Sequence, residues 1–368
     1  MRIVLTGGGT GGHIYPLVAV SREIKNRYGS DVEFLFIGPN GEMEKRAMDE
    51  ESIKSKKILA GKMRRYFSPG NFTDFFKVPI GIIQSLVLLL VYMPDVVFSK
   101  GGYASFPVVF AAWVYRIPIL THESDSIPGL ANRIIGKFSN RVAISYPRSR
   151  RYFDSSKTLL SGNPIRKQIV SGDAGRVIQK LGLAESRPVI LVLGGSLGSE
   201  NVNKAVIKIL PELLKYAQVI HQTGEVNYEN VIRTAAVEGV KAGRGGYYPI
   251  DFLSSEDMSD SLAVATLVIS RAGANSISEI AANSKPAILI PLASAANNHQ
   301  SMNAFALAEV GGAIVLEESN LGEHILMQKV QKILDEQDFR ENLAENIKPF
   351  YNPEATSQIV DGIVDLIK

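Results

Sequence analysis

The sequence predicts an α/β protein of two similar open units, each a parallel sheet wound with helices. Three observations carry this expectation. Short β-rich runs alternate with amphipathic helical stretches almost throughout. Several strand candidates, such as Ile3-Val4-Leu5 and Val189-Ile190-Leu191-Val192-Leu193, are apolar without alternation, as strands buried on both faces are. The order strand, glycine loop, helix that opens the chain also starts again at Pro188. At 368 residues the chain is too long for one typical domain and suits two.

In the first half, strands are expected at Arg2–Thr6, Val32–Ile37, Asp95–Ser99, Ile117–Thr121 and Arg141–Ser145. Helices are expected at Tyr15–Tyr28, Phe106–Tyr115 and Gly129–Phe138. In the second half, a helix from Asn201 follows the strand at Val189. Further strands are expected at Gln218–His221, Leu267–Ser270, Ala287–Ile290 and Ala313–Leu316. The turn-rich Ser161-Gly162-Asn163-Pro164 places the boundary between units, giving 1–162 and 163–348. The remainder, 349–368, reads as a helix with Ile359, Ile363 and Ile367 on one face, able to return to the first unit.

Composition narrows the function classes. The chain is 45% hydrophobic and 21% charged, an ordinary soluble profile. A net charge of +3 is too small to argue for nucleic acid. The absence of cysteine excludes disulfides, thiolate metal sites and cysteine nucleophiles, and it fits a reducing compartment. No signal peptide is expected, because the N-terminus runs straight into a strand. The most apolar stretch, Val78 to Met93, is shorter than the ~20 residues of a spanning helix.

Four glycine loops follow strand candidates. The first, Thr6-Gly7-Gly8-Gly9-Thr10-Gly11-Gly12-His13, lets backbone approach a ligand closely at a helix start, where unpaired N–H groups suit an anion. It is not a dinucleotide fingerprint, since Ile37-Gly38-Pro39-Asn40 stands where an acidic residue is needed. It is not a Walker loop, because no Lys-Ser/Thr follows. The others are Lys100-Gly101-Gly102-Tyr103, Gly194-Gly195-Ser196 and Ser270-Arg271-Ala272-Gly273-Ala274-Asn275. Each lies at the carboxyl end of a parallel strand, where open α/β sheets bind ligands.

These segments resemble the MurG family of N-acetylglucosaminyl transferases. The matching runs are GGGTGGHIYP (7–16), PDVVFSKGGYAS (94–105), HESDSIPGLANR (122–133), GNPIR (162–166), GGSLGSENVN (194–203), HQTG (221–224), SRAGANSISEIAA (270–282) and HQSMNA (299–304). The resemblance implies a GT-B architecture: two Rossmann-like, doubly wound lobes with an interlobe cleft. It implies an inverting, metal-independent transfer of N-acetylglucosamine from UDP-GlcNAc to the 4-hydroxyl of the muramyl sugar of lipid I. The product is lipid II, a peptidoglycan precursor needed for cell shape and division. No cofactor is implied. The implied location is the cytoplasmic face of the bacterial inner membrane, held peripherally. Residues 1–162 would meet acceptor and membrane, and 163–348 would bind UDP-GlcNAc.

By matched position the resemblance assigns catalysis to His13 and Glu279, with Glu279 holding the ribose hydroxyls. Thr10, Gly11, Gly12 and His13 would border the sugar and the attacking hydroxyl. Ser196 would meet the diphosphate, with Ala274, Asn275, Ser276, Ile277, Ser278 and Glu279 along the helix start beneath it. Leu253 would offer backbone to the uracil, Arg166 would reach the donor from the linker, and Gln300 and Asn303 would hold the donor sugar. Many members carry Gln-Asn where this chain has Ser124-Asp125. An ionised Asp125 cannot donate hydrogen bonds but can accept them from sugar hydroxyls.

The chemistry asks for a base at the acceptor hydroxyl and donors at the leaving UDP. An imidazole takes up a proton near neutrality, which suits His13; the plainer role is a bond within its own loop. A polar solvent face is the plain reading of Gln300 and Asn303, which share a helix face, and a solvated carboxylate that of Glu279. His122 and His221 read as structural, because no metal-ligand spacing follows them. A basic and aromatic segment from Lys54 to Lys77 includes Lys62, Arg64, Arg65, Phe67 and Phe72, and precedes an apolar helix at Ile80–Tyr92. An anionic membrane surface or the lipid pyrophosphate fits it, and so would nucleic acid. The plain alternative is that Ile82, Leu86, Leu89 and Leu90 form the core face of that helix. Competing readings are a UDP-GlcNAc 2-epimerase, a lipid glucosyltransferase or a non-catalytic nucleotide-sugar-binding module.

Overall fold

The computed structural model describes residues 1–9, 11–39, 41–61, 69–195, 198–293 and 298–368, with backbone alone for 69–76. The chain divides into two compact units, Met1–Arg166 with Asn352–Lys368, and Lys167–Tyr351. The division follows Arg166, just past the Ser161–Pro164 turn.

The first unit holds strands β1 (Arg2–Thr6), β2 (Glu33–Gly38), β3 (Lys54–Lys57), β4 (Val96–Ser99), β5 (Ile119–Glu123), β6 (Arg141–Ile144) and β7 (Thr158–Leu160). They form one parallel sheet in the order β3-β2-β1-β4-β5-β6-β7. Helices α1 (Gly11–Tyr28), α2 (Glu42–Glu50), α3 (Pro69–Tyr92), α4 (Phe106–Val114) and α5 (Leu130–Phe138) connect them. Along β1, Ile3 and Leu5 pack with Ile14, Leu17 and Ile24 of α1, while Val4 packs on the opposite face with Val108, Val109 and Leu89. That two-residue period buries both faces, which explains the unbroken apolar runs. The last helix, Ala355–Asp365, lies against α1 and buries Ile359, Val360 and Ile363 in the same core as Ile3 and Leu5.

Two elements depart from the sequence expectations. Lys54-Ser55-Lys56-Lys57 is an exposed edge strand, where charge blocks pairing with another chain. Helix α3 begins well before Ile80 and contains Pro79. Its core face is Gly81, Ser85 and Leu89; Leu90, which the plain alternative placed inside, is exposed. The reason is close packing: a Cβ on Gly81 would lie 2.0 Å from the Leu59 carbonyl oxygen. Ile80, Ile83, Val87, Leu90 and Val91 are left as an exposed apolar stripe. No helix among the described residues is long and apolar enough to cross a membrane.

The second unit holds β8 (Val189–Leu193), β9 (Gln218–Gln222), β10 (Tyr247–Ile250), β11 (Leu267–Ser270), β12 (Ala287–Leu289) and β13 (Ile314–Val315). Its parallel order is β10-β9-β8-β11-β12-β13. The helices are α6 (Ala174–Leu181), α7 (Glu200–Tyr216), α8 (Tyr228–Val237), α9 (Ser255–Val264), α10 (Ala274–Ala282), α11 (His299–Ala308), α12 (Glu323–Asp335) and α13 (Gln337–Ile347). Ser199 starts α7 and Ser254 starts α9, each accepting a backbone N–H from the first turn. Ile190, Val192, Val206, Leu210, Ile269 and Val330 sit in this unit's core.

Both strand orders reverse direction once, between β1 and β4 and between β8 and β11. Crevices outside the carboxyl ends at such reversals are where ligands bind in open α/β sheets. The four glycine loops occupy these ends. Thr6 pairs with Ser99, so the loops after β1 and β4 leave the sheet side by side. Leu193 pairs with Ser270, which does the same for the loops after β8 and β11.

Candidate active site

In the first unit the two loops interlock. A Cβ on Gly7 would lie 3.3 Å from Lys100 Cβ, and one on Gly9 would lie 3.3 Å from the Tyr103 ring. Gly102 adopts φ +83°, and a Cβ there would lie 3.3 Å from His13 Nε2. Only glycine combines that backbone with so close a histidine ring. His13, at the start of α1, is half-buried. Gly11 is buried and Gly12 exposed, while Thr10 lies outside the described residues.

Beneath the Gly101-Gly102 turn is a buried polar cluster. Lys100 Nζ donates to Ser124 Oγ at 2.9 Å. Asn132 Nδ2 donates to Glu123 Oε2 at 2.8 Å, and Gly102 N donates to Asn132 Oδ1 at 2.9 Å. Asp125 N donates to Glu123 Oε1 at 2.8 Å, which sets half-buried Asp125 beside the cluster. Burial pushes the Glu123 carboxyl up to about 7; Asp125 adds to the rise and Lys100 opposes it. Burial also lowers the Lys100 ammonium, against the pull of Glu123 and Asp125. His122 is buried, and burial followed by the Lys100 charge holds it well below the usual imidazole range. Its Nε2–H donates to the Gly162 carbonyl at 3.0 Å, a structural role. Arg166 is also buried, its guanidinium 4.2 Å from the Tyr15 ring centre.

In the second unit, Gly198 has φ +75°, and a Cβ there would lie 2.3 Å from the Thr223 carbonyl oxygen. The loop after β8 therefore packs directly on the Thr223-Gly224 backbone. Asn203 Nδ2 donates to that carbonyl at 3.0 Å, leaving its Oδ1 to accept from His221 Nε2–H at 3.0 Å. His221 Nδ1 then accepts from Tyr247 OH at 3.0 Å. Burial lowers His221 to about 3, so it stays neutral and supports the loop. Ser196 lies outside the described residues.

Helix α10 opens with Gly273 as its N-cap, which has no side chain to cap it, and no acid stands in its first turn. Such a start suits an anion. Ala274, Ile277, Ser278 and Glu279 are buried, and Asn275 and Ser276 half-buried. Leu253 is buried in the loop between β10 and α9. Gln300 is half-buried, its Oε1 accepting Leu292 N–H at 3.0 Å. Asn303 is fully buried, and its Nδ2 lies 3.5 Å from the Ala272 carbonyl oxygen it faces. The side chain expected to meet the donor sugar is thus enclosed behind the loop that leads into α10.

Some of what shapes these loops escapes sequence reading. Buried Arg271 forms an ion pair with half-buried Glu318. Arg271 also donates to the Ile290 carbonyl at 3.1 Å. Glu318 accepts from Asn201 Nδ2 at 3.0 Å and from Ala293 N at 3.2 Å. The pair ties together the segments after β8, β11, β12 and β13. Arg271 stands inside a recognised motif, which is a usable signal; Glu318 sits in a polar segment and offers none. The patch residues Lys62, Arg64, Arg65 and Phe67 lie outside the described residues. For Phe72 only the backbone, on α3, is described.

Comparison with known proteins agrees with this geometry. The glycosyltransferase family 28 N-terminal domain matches residues 3–144, and the family 28 C-terminal domain matches 189–359. A Clostridium perfringens protein named UDP-N-acetylglucosamine--N-acetylmuramyl-(pentapeptide) pyrophosphoryl-undecaprenol N-acetylglucosamine transferase is 37% identical, covering 100% of this chain and 98% of its own. The protein of the same name from Caldicellulosiruptor saccharolyticus is 40% identical over 97% of this chain and 95% of its own. The crystal structure of Acinetobacter baumannii MurG shares the fold at a TM-score of 0.74, with 24% identity and 99% of both chains covered.

Proposed function

The chain belongs to the MurG family within glycosyltransferase family 28, and from that premise we propose how its two units divide the work. The protein is a glycosyltransferase that moves N-acetylglucosamine from UDP-GlcNAc to lipid I, giving lipid II for peptidoglycan. The second unit carries the donor and the first carries the acceptor side. The observation behind this division is the different character of the two loop pairs. One brings His13 against Gly102, and the other leaves the α10 start without a side-chain cap.

On the donor side, the diphosphate takes the N–H groups at the start of α10 together with Ser196. Glu279 holds the ribose hydroxyls, the backbone at Leu253 meets the uracil, and Gln300 meets the donor sugar. Asn303 acts indirectly, through the Ala272 carbonyl. On the acceptor side, Thr10, Gly11 and Gly12 border the sugar, and Asp125 accepts from its hydroxyls. Arg166, stacked on Tyr15, adds positive charge next to α1.

The muramyl 4-hydroxyl attacks C1 of N-acetylglucosamine as its proton passes to the His13 imidazole. The bond from C1 to the β-phosphate oxygen breaks, its electron pair leaves with UDP, and the configuration at C1 inverts. UDP release from UDP-GlcNAc tests this reading. Release should require a short-chain lipid I analogue, and His13→Ala should abolish it with UDP binding intact. Near-normal turnover in that variant would remove His13 from the chemistry.

The exposed stripe of α3 docks the protein on the anionic membrane that carries its lipid acceptor. Ile83, Val87, Leu90 and Val91 are 57–76% exposed, and Trp113 at the end of the neighbouring α4 is 50% exposed. The lysines of β3 run into Leu59, whose backbone abuts α3 at Gly81 and Gln84. Apolar side chains beside basic ones are the composition such surfaces use.

A further inference from the structure

Beneath the Gly101-Gly102 turn lies a charge that no step of the transfer uses. Lys100 is buried, and among the described residues its ammonium makes one hydrogen bond, to Ser124 Oγ. A buried ammonium is unfavourable unless other charge compensates it. The compensating groups here are Glu123 and Asp125, whose carboxylates pull Lys100 toward its charged form. Asp125 stands where many members of the family carry an asparagine, so in this chain two carboxylates crowd one site.

Charge decides how many hydrogen bonds Glu123 accepts. Ionised, it accepts on both oxygens, Asp125 N–H on Oε1 and Asn132 Nδ2–H on Oε2. Protonated, one of those oxygens becomes a donor. A proton on Oε1 takes the acceptor away from Asp125 N–H. A proton on Oε2 makes the Asn132 amide turn its Oδ1 toward Glu123, which takes the acceptor away from Gly102 N–H. The turned amide would set its own N–H groups against Gly102 N–H, directly under Gly101, where a Cβ would lie 2.0 Å from Asn132 Oδ1. Gly102 is the residue packed against His13 Nε2. Lys100 opposes protonation of Glu123, and Asp125 favours it.

We propose that Lys100 is a positioning residue for the transfer: its ammonium offsets the Asp125 charge, so that Glu123 keeps accepting on both oxygens and the Gly102 turn stays closed on His13. This rests on the reading of His13 as the base. The other titratable groups facing the cluster hold one charge state. Burial and the Lys100 charge keep His122 neutral, and burial keeps the Tyr146 hydroxyl protonated.

Lys100→Met keeps much of the volume and removes the charge. Its kcat for UDP release with a soluble lipid I analogue is followed from pH 5 to pH 9 at saturating UDP-GlcNAc. The acid limb should move up by about 1 pH unit, lowering kcat at pH 7 ~5-fold, with most of the loss regained at pH 9 and the KM for UDP-GlcNAc within about twofold. Removing a cation also favours protonated His13, which moves the limb the same way. Glu123→Gln separates the two causes, because it keeps an acceptor for Asn132 without titrating. In that background Lys100→Met should leave the limb in place; a full shift there overturns the proposal. The fall of melting temperature between pH 5 and pH 8 does not depend on His13 chemistry, and in Lys100→Met it should move to higher pH together with the limb. A limb or a melting profile that Lys100→Met leaves where it was overturns the proposal. If Lys100→Met does not fold, Lys100→Gln, which still carries a donor for Ser124, decides by the same measurements. His13→Ala is assayed alongside: normal turnover there sinks the reading of His13 as the base, while the melting profile still decides the link from Lys100 to Glu123.

Discussion

Glu123 fixes which way the side-chain amide of Asn132 points. Its Oε2 receives Asn132 Nδ2–H at 2.8 Å, which leaves Asn132 Oδ1 to receive Gly102 N–H at 2.9 Å. The turn so held is the one packed against His13 Nε2. A buried carboxylate thereby acts on the turn beside His13 through Asn132.

Replacing Asn132 by Ala should release that turn. The expected outcome is a kcat lower by ~10-fold or more, with the KM for UDP-GlcNAc within about twofold. Leaving Glu123 and Gly102 N–H without their partner should cost roughly 1–3 kcal/mol of stability, read by denaturant unfolding. A rise in donor KM with kcat unchanged would place the defect elsewhere.

Glu123 also predicts a pH dependence of stability. Its folded pKa, about 7, lies above the ordinary 4.5. Between those values the folded state holds a proton that the unfolded state has released. This contribution is therefore full below about pH 4.5 and lost as pH rises through about 7. Glu123→Gln keeps the acceptor for Asn132 and removes the titration. Its melting temperature should fall less than that of the unsubstituted protein between pH 5 and pH 8. Parallel curves would show that Glu123 does not titrate there.

Gly198→Ala should damage the second unit. The substitution forces a side chain into positive φ and places Cβ 2.3 Å from the Thr223 oxygen. A loss of ~2–4 kcal/mol is expected, together with weaker UDP binding by calorimetry. Gly239, where a Cβ meets nothing within 4 Å, is the control for positive φ alone.

Arg271→Ala should leave the half-buried Glu318 carboxylate with Asn201 and Ala293 as its donors. Losing the charged partner costs ~1–3 kcal/mol. Here it also frees the segments after β11 and β12, so UDP affinity should fall with stability. Replacing both partners with apolar residues should recover stability more than UDP affinity.

Ile83→Gln, Val87→Gln and Leu90→Gln together should reduce sedimentation with anionic vesicles. Turnover of a soluble acceptor analogue should stay unchanged, because these side chains point away from the core. Undiminished vesicle binding would move the membrane contact off α3.

The sheet cores were legible because burial on both faces leaves continuous apolar runs. Val189–Leu193 and Leu267–Ser270 match the strands residue for residue. Strand β3 was not legible: at a sheet edge neither burial nor alternation is required, and Lys54–Lys57 is three lysines and a serine with no apolar residue. The glycine loops were readable as loops, but which strands stand beside them follows from strand order, which periodicity does not encode. The inward turn of α3 was hidden because Gly81 and Ser85 face the core while Ile83 and Leu90 face out, against their polarity. Glu123 and Glu318 look like ordinary surface acids in one dimension. Only the backbone N–H groups or side chains they meet separate them from solvated ones.

The last helix has a consequence for how the protein is made. Ile359, Val360 and Ile363 belong to the core of the first unit, yet they are synthesised after the whole of the second. At ~5–20 residues per second, the ribosome spends tens of seconds or less extending the chain from Arg166 to Asn352. Throughout that interval the nascent first unit presents an unfilled apolar groove beside α1. The second unit can fold as a contiguous segment, so the unit made first is the one completed last, and a stalled or truncated chain leaves that groove open to chaperones or to other nascent chains.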